Sequence, residues 1–213
     1  MGAGKNILII NGSIRGTQGN SGAVTRIAEK FLTGTHSATV SILNLTEPKP
    51  AIKEVYDILN AADGFLIITG TYWNNWGSSL QRFIEVMTTF ENAPCFFGKP
   101  LVCVVSMDSV GGLEVAARIH SVFAGLGCWS PPCSTLVLSR IGQEAVLATE
   151  GQENDLNEDV WRIADIEVVL TNLIIAAGMK CDIWACWPKI TLKLAGDEWP
   201  ETGPLDLGTP RFL

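Results

Sequence analysis

The chain has 213 residues, of which 47% are hydrophobic and 17% charged, a composition that supports one domain with a sizeable core and excludes a disordered polymer. Its formal net charge of -7 argues against nucleic-acid backbones and anionic membranes as main partners. The longest apolar stretch, near Leu173 to Met179, is too short to span a bilayer.

Neither a secretory signal nor a myristoylation signal is legible in Met1-Gly2-Ala3-Gly4-Lys5-Asn6, so a cytoplasmic protein with reduced cysteines is expected. Cys128/Cys133 and Cys181/Cys186 share a four-residue gap, whereas structural zinc sites favour two-residue gaps, and His36 and His120 are the only histidines. These cysteines read as buried small hydrophobes, with no metal site.

In chain order, Ile7 to Ile10 is an apolar run of strand length that breaks at Gly12 into a loop carrying Ser13, Arg15, Asn20 and Ser21. A helix capped by Asn20 or Ser21 follows, with Val24, Ile27, Ala28, Phe31 and Leu32 on one face and Gly34 as its end. Ala38 to Leu43 alternates as a more exposed strand, Pro48 and Pro50 mark a turn, and Ile52 to Ala62 reads as helix. Phe65 to Ile68 is a buried strand stopped by Gly70. A helix from Gly77 or Ser78 carries Leu80, Phe83, Ile84 and Met87. Leu101 to Val105 is the next apolar strand, and a helix after Gly111-Gly112 aligns Val115, Ile119, Val122, Phe123 and Leu126. His120 falls off that stripe and reads as a solvated flank residue; His36 falls in a turn. Thr135 to Leu138 is the last strand, and Leu156 to Ala177 a long helix closed by Gly178.

Alternating strands and helices, with central strands apolar on both faces, predict a doubly wound α/β fold. The expected sheet is five-stranded and parallel, in the order 2-1-3-4-5, with helices on both faces and a ligand site beyond the carboxyl ends of the strands. Residues 1–178 form this domain. Residues 179–213, with Trp184, Trp187, Trp199 and several prolines, form an extension packing on the domain or on a partner subunit. Ser139 to Asn154 reads as a polar loop, either a lid, a partner contact or a plain surface connection.

Three loops meet that edge. In the first, Ser13, Asn20 and Ser21 can donate to phosphate oxygens and Arg15 can add a charge-assisted contact at a helix N-terminus; the alternative is a glycine-rich turn with a serine cap. In the second, Thr71, Tyr72, Trp73, Asn74, Asn75 and Trp76 interleave flat rings with amides, which suits a planar heteroaromatic ligand such as a flavin ring; the alternative is a subunit contact. The third, Ser106-Met107-Asp108-Ser109-Val110-Gly111-Gly112, would let backbone amides approach a ring edge. With histidine so scarce, side-chain acid–base or nucleophilic chemistry is not expected, and no catalytic residue is assigned.

Gly12-Ser13-Ile14-Arg15 with Gly19-Asn20-Ser21, Gly70-Thr71-Tyr72-Trp73 through Leu80, and Gly98-Lys99-Pro100 leading to Gly111-Gly112 resemble the flavin loops of the NAD(P)H-dependent FMN reductases. This flavodoxin-like family includes quinone and azo-dye reductases, and the likeness covers roughly residues 5 to 138. The first loop is one residue longer than the common pattern, Gly70 replaces a frequent proline and Asn74 a frequent glycine. The resemblance implies FMN as cofactor, NADPH or NADH as co-substrate, and transfer of hydride to the flavin and on to a quinone-like or other small acceptor. Ser13, Arg15, Asn20 and Ser21 would hold the phosphate; Tyr72 to Trp76 and Asp108 to Gly112 would line the ring. An electron carrier of flavodoxin type and a flavin-free binding protein on the same scaffold are the competing readings. The last helix is apolar around too much of its circumference for a one-sided surface helix, so a homodimer or homotetramer is expected.

Overall fold

The computed structural model describes residues 4–47, 50–142, 144–145, 164–179, 181 and 183–186. The apolar runs form strands β1 (Asn6–Asn11), β2 (Thr39–Asn44), β3 (Gly64–Gly70), β4 (Leu101–Met107) and β5 (Thr135–Ser139). All pair in parallel in the order β2-β1-β3-β4-β5, the expected sheet. Ile9 stands opposite Ile42 on one side and Leu66 on the other, and Leu66 opposite Val102. The central β1, β3 and β4 are buried on both faces, whereas β2 at the edge leaves Thr39, Ser41 and Ile42 exposed.

Helices α1 (Gly19–His36), α2 (Ile52–Ala61), α3 (Ser78–Met87), α4 (Gly112–Leu126) and α5 (Asp165–Ala177) cover the sheet. Their apolar stripes decide which face each takes. Val55, Leu59, Leu80, Phe83, Val115, Ile119 and Phe123 of α2, α3 and α4 pack on Leu8, Ile10, Phe65, Ile67 and Cys103. Val24, Ala28 and Leu32 of α1, with Ile166, Leu170 and Leu173 of α5, pack on Ile7, Ile9, Leu66, Ile68 and Val104.

Several boundaries differ from the sequence reading. Helix α1 begins at Gly19 rather than Asn20 or Ser21, and its N-cap, Gln18, makes no side-chain capping bond. Gly34 does not stop it; α1 continues to His36 and ends where Ser37 turns left-handed at φ 52°. Residues 140–142 and 144–145, read as loop, are helical, because the Ser139 hydroxyl accepts the Gly142 N–H at 3.1 Å as an N-cap. The rest of that segment, the first part of the predicted last helix including Trp161 and Ile163, and Trp187 and Trp199 lie outside the described residues.

At the amino edge of the sheet, Lys99 Nζ donates to the Leu59 and Asn60 carbonyls at 2.8 Å, satisfying the end of α2. The Cys181 carbonyl lies against Gly98, where a Cβ would collide with it. Trp184, Ala185 and Cys186 join Phe97, Gly127, Cys128 and Trp129 around an apolar cavity of about 510 Å³. Among the described residues no helix is long and apolar enough to cross a membrane.

Candidate flavin site at the carboxyl edge of the sheet

The site grows from the end of β1. Asn11 is fully buried, and its side-chain amide donates to the Gly16 carbonyl at 2.8 Å and to Asn44 Oδ1 at 3.1 Å. Its own Oδ1 accepts the Ser13 N–H at 3.2 Å. One buried side chain thus folds the first loop back on itself and ties it to β2. Ser13, also buried, turns its hydroxyl to accept the Arg15 N–H at 3.3 Å. Gly22 lies under the Thr17 carbonyl, where a Cβ would collide, so the loop rests on the first turn of α1. The outcome is an α1 N-terminus with no side-chain cap from its N-cap residue, beside Ser13, Arg15, Asn20 and Ser21. Its backbone N–H groups and dipole favour an anion.

A crevice of about 280 Å³ opens there, lined by Ser13, Arg15, Asn20, Ser21, Gly70, Thr71, Tyr72, Ser106, Met107, Asp108 and Arg140. Of the residues expected from sequence, the structure brings Ser13, Arg15, Asn20, Ser21, Thr71, Tyr72 and Asp108 onto one crevice. Gly70, Ser106 and Met107 of the same two loops also line it, and Arg140 joins them unforeseen. Arg140 stands directly after β5, so applying the carboxyl-edge rule to the last strand would have found it. Its Nε lies 2.8 Å from Asp108 Oδ1 and 3.8 Å from Glu144 Oε1, and the Ile141 N–H donates to the Asp108 carbonyl at 3.0 Å.

The second loop is a two-residue hairpin turn. Tyr72 and Asn75 exchange backbone hydrogen bonds of 2.6 and 3.0 Å around Trp73 at φ 47° and Asn74 at φ 58°, the paired left-handed conformations of a type I′ turn. Trp73 is fully exposed at the tip, and Asn74 is pressed against Gly111, which has φ 88°. Trp73, Asn74 and Asn75 therefore stand beside the crevice rather than in its lining. Trp76 departs from the expectation outright. It is buried in the core, its Nε1 donates to Gln81 Oε1 at 2.9 Å, and Arg118 lies 5.6 Å over its ring. In the third loop Ser109 is exposed, while Gly111 and Gly112 are buried at the start of α4, where the Gly112 N–H donates to Met107 Sδ at 3.2 Å.

The crevice suits a phosphorylated, polar-tailed ligand. Among the described residues the buried side-chain oxygen without a protein partner is Thr71 Oγ1, which sits in this lining. A buried hydroxyl left unpaired costs stability that a ligand hydrogen bond restores.

A second polar cluster lies away from this edge, and it corrects the reading of His120. Its Nδ1 is 2.7 Å from Ser130 Oγ and its Nε2 2.7 Å from Thr135 Oγ1, with Cys103 Sγ 3.4 Å from Nε2. Burial pulls the imidazole below its ordinary value. His36 closes α1 with its Nε2 3.3 Å from Thr171 Oγ1. Burial pushes the Cys95 and Cys103 thiols up to about 12 and raises Cys128 as well, which keeps all three protonated and unreactive. Cys133 and Cys186, expected to be buried, are exposed.

A parallel 2-1-3-4-5 sheet with an anion-ready first turn defines the flavodoxin-like class. Residues 5–143 match the family of NADPH-dependent FMN reductases, and the chain belongs to that family. It is an oxidoreductase family whose flavin is FMN and whose electron donor is a reduced nicotinamide nucleotide. Solved structures share the fold. An NADH:FMN oxidoreductase (EMOB) is 13% identical with a TM-score of 0.61, over 81% of this chain and 89% of that one. RosB, solved with bound 8-demethyl-8-formylriboflavin-5'-phosphate, is 12% identical with a TM-score of 0.64, over 94% and 97%. An oxidoreductase from Corynebacterium diphtheriae is 13% identical with a TM-score of 0.60, over 82% and 98%. Comparison with curated protein sequences gives no match.

Trp73→Asn places a residue that tolerates the left-handed region at φ 47°, and is expected to raise unfolding free energy by about 1 kcal/mol in urea titration. His120 resists a proton in the folded state that it accepts when unfolded. Its contribution to stability is therefore complete above its ordinary value of 6.5 and is lost as pH falls below it. The acid limb of the stability–pH curve is expected to flatten in His120→Gln, measured by thermal melts between about pH 7 and 5.

Proposed function

We propose that this chain holds FMN in the carboxyl-edge crevice and moves two electrons from NADPH or NADH to a quinone-like or other small acceptor. For a quinone the balance is NAD(P)H plus one proton plus quinone, giving NAD(P)⁺ and hydroquinone. The observation that carries this reading is the single crevice joining the Ser13/Arg15/Asn20/Ser21 cradle to the unpartnered Thr71 hydroxyl. Bound FMN supplies the hydride-accepting ring that no side chain provides.

The chain's own work is binding and orientation. The α1 N-terminus, Ser13, Asn20, Ser21 and the Arg15 guanidinium neutralise the phosphate. Thr71, Tyr72 and Asp108 flank the far part of the crevice. Trp73, Asn74, Asn75 and Ser109 stand on the loops around it, and the packing of Asn74 on the buried Gly111 ties the second loop to the third. A cytoplasmic setting, where thiols stay reduced, accords with six free cysteines.

The outer side of α5 exposes Val168 and Ile175, and Met179 follows on the same side. We infer that a second copy covers it, giving a homodimer or homotetramer.

FMN titration followed by visible absorbance tests the site. Wild type is expected to bind the flavin and to bleach on anaerobic NADPH addition. Ser13→Ala with Arg15→Ala is expected to weaken FMN binding about 10- to 100-fold while the melting transition persists; unchanged affinity would move the phosphate site elsewhere. Light scattering is expected to give a multiple of 23.0 kDa, and a single-chain mass would overturn the assembly.

A further inference from the structure

We propose that the rim of the crevice selects the electron acceptor by charge. It seats a planar apolar aromatic that is uncharged or cationic, and disfavours the same ring system bearing a sulfonate or carboxylate. This rests on the reading of the crevice as the flavin site and adds the class of acceptor.

The apolar part of the rim is built from separate loops. Ile14 of the first, Trp73 of the second, Val110 of the third, Leu113 in the first turn of α4 and Ile141 after β5 are all large hydrophobic side chains left exposed, Trp73 at 102% and Val110 at 69% of full accessibility, and Ile14, Trp73 and Ile141 each adjoin a lining residue in the chain. Exposed apolar surface gathered at the mouth of a polar cleft marks a binding surface. These side chains are held there. Ile14 packs where Gly77 leaves room for it, and Asn74 is seated on Gly111, so Trp73 and Val110 flank one fixed contact between the second and third loops. Trp73 stands fully exposed at the tip of the closed two-residue turn. A flat aromatic that covers these groups removes apolar area from water and gains a ring partner.

The charged part of the rim is acidic. Asp108 and Glu144 lie on either side of Arg140, with Asp108 at 2.8 Å and Glu144 at 3.8 Å. Glu114 stands in the exposed first turn of α4, next to Leu113. Arg15 belongs to the phosphate cradle, and Arg118 lies over the Trp76 ring. Arg140 is therefore outnumbered by carboxylates where the acceptor must enter, on a protein of net charge -7. An acidic mouth raises the local concentration of cations and lowers that of anions, and salt screens both effects.

The test compares 2,3-dimethyl-1,4-naphthoquinone, whose blocked ring positions do not add thiols, with its 6-sulfonate. With NADPH saturating at low salt, kcat/KM for the uncharged quinone is expected to exceed that for the sulfonate about tenfold. Glu114→Gln and salt near ~1 M should each narrow that ratio, a change that a difference in quinone potential cannot produce. Trp73→Ala should raise KM for the uncharged quinone about five- to tenfold, more than for the sulfonate. Equal kcat/KM at low salt, or a ratio that neither Glu114→Gln nor salt moves, would overturn the proposal. Equilibrium dialysis of both quinones against the protein without turnover is expected to show the same order of affinity. If the protein proves unable to use NADPH, the flavin reading fails, while the dialysis result still decides whether the rim discriminates charge.

Discussion

A buried amide at the end of β1 is the constraint on which the site depends. Asn11 gives its two kinds of polar atom to three partners, the Gly16 carbonyl, the Asn44 side chain and the Ser13 N–H. Inside the protein each of these groups would be costly to leave unpaired, so the amide dictates the loop shape rather than following it. A residue of similar size lacking either a donor or an acceptor could not hold the same turn. The α1 N-terminus is left without a side-chain cap from Gln18, and Ser13 and Arg15 stand beside it on the same crevice.

From that anchor the rim is assembled by contacts passed from loop to loop. Ile14 fills the space left by Gly77, Asn74 fills the space left by Gly111, and Asp108 is tied to Arg140 and Ile141. The left-handed backbone at Trp73 and Asn74 is unfavourable in isolation and persists because Asn74 is seated against the neighbouring loop. The rim consequently behaves as one preformed unit, with ordering costs met in folding rather than on binding. The buried titratable groups stand apart from these loops. His120 and Cys103 belong to the packing between β4, β5 and α4, where burial favours their uncharged forms.

Much of this was legible in order along the chain. Short apolar runs interrupted by glycine and polar turns could form only a sheet buried on both faces, and the 3.6-residue stripes of α1, α3 and α4 left little choice of partner. A crevice at the carboxyl edge followed from where the loops of such a sheet must fall. The misreadings have local causes. Trp76 shares its loop and residue type with Trp73, yet one is core and the other fully exposed, because a two-residue turn reverses the chain between them. His120 sits off its helix's apolar stripe, but hydroxyls on β5 and beyond α4 reach it there. Arg140 follows β5 directly, but the segment it opens reads as polar loop, so only its position at the strand end marks it.

The sequence by itself determined the strands, the helices and their alternation, because these rest on periodicity and on short-range backbone chemistry, and the alternation with its glycine-rich first turn pointed to the 2-1-3-4-5 order by likeness to other doubly wound sheets. Only the tertiary structure decided which side chains face the crevice, that Arg140 closes it and that Asn74 rests on Gly111. Those facts depend on contacts between loops far apart in the chain, and a pattern read residue by residue contains no term for such distances.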